Sequence, residues 1–219
     1  MLANVIDSET VRARRAARPA ATLSLTFDDG PDARWTGRVL DSLDAAGAKA
    51  TFFVVGERVR EQPEMVREVL REGHEVQLHC DRHVRHSQLS EREIERDTRD
   101  ALATLEDLGV HASRWRTPWG VRVAGSMRVA RAHGLALTHW TIDTHDWRGD
   151  EPAAMLAAAR PALAGGGVVL MHDALGPGAR RAGCENTARL VERLVPWARE
   201  HGLRVGPLSL QPAELAEAS

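Results

Sequence analysis

Leu23-Ser24-Leu25-Thr26-Phe27-Asp28-Asp29-Gly30-Pro31 is the stretch on which the reading of this chain turns. Leu23 to Phe27 has the length and composition of a short buried β-strand; two adjacent carboxylates end it, and a Gly-Pro pair breaks the chain. The same design returns along the sequence. Strands are expected at Leu23 to Phe27, Ala50 to Val55, Glu75 to Leu78, Ala112 to Arg116, Ala136 to Ile142, Val168 to Met171 and Leu203 to Val205. Amphipathic helices are expected between them at Thr36 to Ala46, Glu64 to Glu72, Glu91 to Leu108, Ala124 to Ala132, Pro152 to Leu163 and Thr187 to Glu200. Most close on a glycine, such as Gly47, Gly109 or Gly202, the residue that best tolerates a helix C-cap. A βα repeat of this kind forms an open parallel sheet or a barrel, and the position of the polar residues separates the two. Asp28, Asp29, His79, His83, Arg116, Asp143, Asp146 and His172 all fall at or just past the C-terminal end of an expected strand. A barrel gathers such residues around one axis, so the expected fold is α/β, a (β/α) barrel of about seven parallel strands.

The 219 residues, 43% hydrophobic and 27% charged, suffice for one domain with a sizeable core. No linker-like shift in composition divides them. Residues 1–21 are expected to form a flexible arm and 22–219 the single folded domain. The net charge of −2 gives no general reason to expect nucleic acid or an anionic membrane as partner, and no apolar run approaches the roughly 18 residues of a membrane span. Cys80 and Cys184 stand far apart without a CxxC pattern, which argues against a disulfide framework or a cysteine-rich zinc module. Lys49 is the sole lysine among 29 basic residues, a bias of composition and not of chemistry. No signal peptide opens the chain, so the expected location is cytoplasmic, or extracellular if a leader has been removed.

Two adjacent acids after an apolar strand allow a division of labour, one binding a cation while the other takes protons, although Asp-Gly is also ordinary turn chemistry. His79 and His83 in His79-Cys80-Asp81-Arg82-His83 are four apart, so a helix or tight turn can aim both at one metal ion. Two imidazoles and one carboxylate leave positions open for water and substrate, which marks a catalytic metal. The same set serves non-haem iron oxygenases, an alternative that the βα alternation disfavours. Arg116-Thr117-Pro118-Trp119-Gly120 offers a cation and a loop of backbone N–H groups to an oxyanion. Asp143-Thr144-His145-Asp146-Trp147 offers acids to orient an imidazolium and an aromatic face for a sugar, and Leu170-Met171-His172 places an imidazole at the rim as a general acid. Trp35, Trp115, Trp140 and Trp197 read as core or core edge, His86 as a rim residue near His83, and the Glu91 to Leu108 helix as a solvated face.

Taken together and in order, TFDDGP, HCDRH, RTPWG, DTHDW and LMH resemble the five motifs of the polysaccharide deacetylases of carbohydrate esterase family 4. The resemblance runs from about Leu23 to Leu208 and implies a distorted (β/α) barrel. It implies one divalent metal, usually zinc, with Co2+, Ni2+ or Mn2+ as substitutes, and removal of acetyl from N-acetylglucosamine or, less often, of O-acetyl from xylan. Carried over by motif, Asp28 would be the general base and Asp29, His79 and His83 the metal ligands. Arg116 would pair with Asp28, Asp146 would keep His172 protonated, and Leu170 would shape the acetyl pocket. The Trp119 backbone N–H, with Pro118 in the same loop, would face the oxyanion; Asp143 and Trp147 would border the substrate. Cys80, Arg82 and Trp119 depart from the residues usual at their positions, and Cys80 and Arg82 are expected to border the groove. The expected partner is a saccharide or an acetylated small molecule bound by a monomer. Rival readings are an amide hydrolase of the same fold acting on a non-sugar amide, an O-acetyl esterase, and a silent carbohydrate-binding protein.

Overall fold

A computed structural model describes residues 21–211. Its centre is β1 (Thr22–Asp28), buried along its whole length. On one side follow β2 (Thr51–Val55), β3 (Glu75–Cys80), β4 (Arg114–Trp115) and β5 (Ala136–Leu137); on the other, β7 (Gly167–His172) and then β6 (Ile142–Asp143). The short β8 (Arg204–Gly206) pairs with Thr22 to Ser24 of β1, and β2 pairs with Thr26 to Asp28. All these pairings are parallel. The two ends of the sheet, β5 and β6, are joined by residues 138–141 alone, a connection that reaches no further than about 17 Å. The sheet therefore curls into a distorted (β/α) barrel whose last gap is spanned by chain and not by a ladder.

One expected strand is corrected. The run Ala136 to Ile142 is not continuous: the Thr138 N–H donates to the Trp115 carbonyl at 2.8 Å, whereas the Thr141 N–H donates to the Val168 carbonyl at 3.0 Å. The chain thus leaves β4 and arrives at β7 within a few residues, a change of neighbour to which β-propensity is blind. Among the described residues, seven helices cover the outside: α1 (Trp35–Ala45), α2 (Gly56–Glu61), α3 (Pro63–Arg71), α4 (Glu91–Glu106), α5 (Ala124–Ala132), α6 (Pro152–Leu163) and α7 (Glu185–Glu200). Of these, α2 is absent from the sequence reading. The flexible arm expected over 1–21 lies outside the described residues except for Ala21, whose carbonyl accepts from the Arg204 N–H at 2.9 Å. Residues 212–219 of the expected domain lie outside them as well.

The period-2 alternation of the strands sorts their side chains. Leu23, Leu25 and Phe27 join Val39, Leu43, Leu190, Val191 and Leu194 in the main core between sheet and helices. Ser24, Thr26 and Asp28 face the other way, into the curl, where Phe53, Val168 and Leu208 form a small separate cluster against Trp140. The inside of the barrel is therefore part apolar floor and part polar rim. Among the described residues no helix is long and apolar enough to cross a membrane.

Candidate active site

The polar rim is assembled by strand ends. Register sets Asp28 beside His172 and Thr26 beside Leu170 across β1 and β7, and Asp143 beside Leu170 across β6 and β7. Directly after Asp28 the chain turns at Asp29, whose φ of 78° lies in the left-handed region that side chains other than glycine seldom adopt. That turn carries the Asp29 carboxylate toward His79 and His83. Asp29 Oδ1 lies 3.4 Å from His79 Nε2 and 3.1 Å from His83 Nε2. These are ion-pair distances, and this buried oxygen has no further hydrogen-bond donor. Burial by itself raises the Asp29 carboxyl, but His79, His83 and His172 outweigh it and hold the group well below the usual carboxylate range.

Each imidazole is aimed by its surroundings. The His79 ring meets the Arg116 carbonyl through Nδ1 at 2.6 Å, a contact that protonates Nδ1 and leaves the Nε2 lone pair for the site. The loop that brings His83 back is held by buried Asp97 on α4, which accepts from the Asp81 N–H at 2.8 Å and the Arg82 N–H at 2.9 Å. The solvated-face reading of that helix is incomplete, because Ile94, Asp97, Thr98, Ala101 and Leu105 are buried. One ligand atom from each of Asp29, His79 and His83 lies within 4.8 Å of the others. A carboxylate oxygen without a donor beside two imidazoles suits a divalent cation, whose bonds to such atoms run about 2.0–2.2 Å.

Arg116, fully buried, ties this cluster to Asp28. Its carbonyl holds His79, while its Nη1 donates to Asp28 Oδ1 at 2.7 Å and to Thr26 Oγ1 at 2.8 Å. The guanidinium lies over the Phe53 ring at 4.2 Å, so the apolar floor fixes the cation that fixes the carboxylate. Asp173, behind the Asp29-Gly30 turn, accepts from the Gly30 N–H at 3.2 Å and the Thr36 hydroxyl at 2.6 Å, and burial pushes its carboxyl up to about 7.

Across the cleft stands a second network. His172 Nδ1 meets Asp146 Oδ1 at 2.8 Å, and Asp146 Oδ2 accepts from the His172 N–H at 2.9 Å, Arg181 Nη1 at 2.7 Å and the Thr187 hydroxyl at 2.7 Å. Burial pulls the His172 imidazolium down, yet Asp146 first, then Asp29 and Asp28, outweigh it and push the ring up to about 9. Burial raises the Asp146 carboxyl, and His172, Arg181 and Thr187 overcome that to hold it far below the carboxylate range. Arg181 and Thr187 have no counterpart in the sequence reading. One arginine in an arginine-rich loop and one threonine inside a helix carry no spacing that marks them.

These groups open on a cleft of about 310 Å³ lined by Asp28, Asp29, His79, His83, Trp119, Trp140, Asp143, Trp147, Leu170, His172 and the loop from Ala174 to Arg181. A Cβ on Gly176 would meet Asp29 Oδ2 at 1.9 Å, so only glycine lets that loop pass over the cluster. The sequence expectations for Pro118, His86, Cys80 and Arg82 change, and those for Asp143 and Trp140 are met in part. Pro118 is buried and is not among the lining residues. Asp143 lines the cleft but bonds its neighbour, accepting from the His145 N–H at 2.7 Å, and leaves His172 to Asp146. Trp140 is a lining residue and not only core. His86 is buried, meeting Ser126 Oγ through Nδ1 at 2.8 Å behind the Trp115 ring. Cys80 is buried in the core and Arg82 is exposed beside Asp97, so neither borders the cleft.

Several known proteins resemble this chain. The family model described as polysaccharide deacetylase matches residues 15–138. A chitooligosaccharide deacetylase of Bradyrhizobium is 32% identical over 192 residues, covering 84% of this chain and 87% of that one. A peptidoglycan-N-acetylglucosamine deacetylase of Bacillus cereus is 31% identical over 184 residues, covering 83% and 84%. Among solved structures, a family 4 carbohydrate esterase from Streptomyces lividans in complex with acetate superposes with a TM-score of 0.75 at 28% identity, covering 85% of this chain and 92% of that one.

Proposed function

Because this chain belongs to the polysaccharide deacetylase family, we propose that it is a metal-dependent deacetylase that hydrolyses the acetamide of N-acetylglucosamine-containing saccharides to free amine and acetate. The observation that carries the reading is the donorless Asp29 oxygen between two imidazoles, on a rim that also holds Asp28 and His172. Asp29, His79 and His83 would hold the cation, with zinc the best match to two imidazoles and a carboxylate. When bound, it supplies Lewis acidity toward the acetyl carbonyl and toward a water nucleophile.

The chain's own residues do the rest. Asp28, fixed by Arg116 through one oxygen, takes a proton from the attacking water. The Trp119 backbone N–H, in a turn where Trp119 adopts φ 53°, would donate to the oxyanion, an interaction worth a few kcal/mol. His172, cationic at neutral pH, donates a proton to the leaving amine as the C–N bond breaks, so that water, amide and the two proton carriers balance to amine and acetate. Leu170 is the apolar wall beside the acetyl methyl, and Trp119, Trp140 and Trp147 give the sugar rings aromatic faces.

The test is acetate release from N-acetylglucosamine, chitooligosaccharides and acetylxylan by protein stripped of metal and reloaded with zinc or cobalt. Acetate that disappears on stripping and returns on reloading is the expected result. Metal-replete protein that releases none from any of the three would overturn the proposal and favour a non-sugar amide.

A further inference from the structure

The loop between β7 and α7 carries a buried guanidinium that the steps above leave unused. Arg181 has a side chain only 4% exposed. Its Nη1 donates to Asp146 Oδ2 at 2.7 Å and to the Asp146 carbonyl at 3.2 Å, and it touches the Thr187 hydroxyl. Its Nη2 donates to the His172 carbonyl at 3.0 Å, the Ala174 carbonyl at 3.3 Å and Cys184 Sγ at 3.2 Å. Among the described residues, Asp146 is the carboxylate within ion-pair distance of this cation, and Asp146 is also the ion-pair partner of His172. One buried anion is shared by two cations.

This arrangement has consequences for proton transfer. Asp146 accepts one hydrogen bond on Oδ1 from His172 and three on Oδ2 from the His172 N–H, Arg181 and Thr187, so that Oδ2 is crowded with donors. Held by four donors, Asp146 is a weak base toward the imidazolium proton. An imidazolium facing an unshared buried carboxylate would hold its proton too tightly to give it to an amine. A second cation on the same carboxylate weakens that hold.

We propose that Arg181 is a positioning residue of the reaction: it pins the Asp146 carboxylate for His172 and offsets its charge, so that the imidazolium releases its proton during turnover. The proposal rests on the reading of His172 as the proton donor. The groups facing the imidazole are Asp28 at the end of β1, Asp29 in the turn after it, Asp146 from the turn after β6, and Arg181 bonded to Asp146; Arg116 answers Asp28, and the proposed cation would answer Asp29.

The experiment is an NMR titration of the His172 ring in metal-loaded wild type and in Arg181→Met, Arg181→Gln and Arg181→Lys, beside kcat and KM against pH. Loss of the positive charge in the Met and Gln variants should raise the His172 midpoint by about one pH unit, the size expected of one nearby charge. In those variants kcat should fall about 10–100-fold with KM little changed, and its alkaline limb should move up with the NMR midpoint. Arg181→Lys should keep the wild-type midpoint and recover part of kcat. A folded Met or Gln variant whose midpoint stays put or falls would reduce Arg181 to a structural tie and overturn the proposal. If neither neutral variant folds, a shifted midpoint in the Lys variant does the same. The titration needs no substrate, so a wild type that releases no acetate would sink the deacetylase reading separately from this one.

Discussion

Asp28 and Asp146 are two buried carboxylates at strand ends, each answered by a buried arginine, and they differ in how completely they are answered. Asp28 is held through one oxygen by Arg116 and lines the cleft. Asp146 is held through both oxygens by four donors and stands behind the cleft wall. A carboxylate with acceptor capacity open to substrate can take a proton; one held by four protein donors away from the cleft orients and stabilises a cation. The same residue type therefore serves as base on one side and as anchor on the other, and the difference lies in the number of hydrogen bonds, not in burial, since both are nearly inaccessible.

The largest expected effect comes from removing the open carboxylate. Asp28→Asn should lower kcat by about a thousandfold or more, within the range of general-base catalysis, while bound metal, read by elemental analysis, stays at the wild-type level. An Asp28→Asn protein that kept a tenth of wild-type turnover would erase the distinction between the two acids.

Asp146→Asn probes the other side and should cost about a hundredfold in kcat, because the imidazolium loses its counter-ion. The pH dependence carries the sign. The folded-state value of His172 is raised to about 9 from an ordinary value of about 6.5. The stability contributed by this ion pair is thus complete below about 6.5 and lost as pH rises through about 9. Wild-type Tm and kcat should both decline across the upper part of that window. In Asp146→Asn the alkaline decline of kcat should move to lower pH, and the alkaline loss of Tm assigned to this pair should be gone; an unchanged profile would show that Asp146 does not govern His172.

The two sides also differ in how far they can be read from sequence. Every side chain of the metal cluster and the open carboxylate stands in a strand-end motif, because a group that must reach the cleft has to follow a strand, and strand ends are visible as apolar runs. His172 and Asp146 were legible for the same reason. Arg181 and Thr187 reach Asp146 from a loop and from the first turns of α7, places set by tertiary packing and by no local period. Trp140 reads from sequence as core or core edge; its backbone stands in the gap between β5 and β6, and the ring lines the cleft. The fold followed from the βα alternation, whereas the split of residues 136–142 depended on which neighbours offered carbonyls.

The smallest effect sharpens the comparison at the level of substrate. Trp147 follows Asp146 and lines the cleft, with the Arg148 guanidinium 5.0 Å and the Arg180 guanidinium 5.4 Å from its ring centroid. Such cation–π contacts are worth about 0.5–1 kcal/mol at exposed sites, so the ring is oriented before substrate arrives but is not needed to hold the fold. Trp147→Ala should raise KM for a chitooligosaccharide by about 3–10-fold, the equivalent of about 1 kcal/mol of lost aromatic contact. Steady-state kinetics should show kcat nearly unchanged, because neither the Asp28 side nor the Asp146–His172 pair draws a hydrogen bond from the indole. A drop in kcat with constant KM would instead tie Trp147 to the anchoring network, and the boundary between substrate-facing and proton-handling residues would move inward to Asp146 itself.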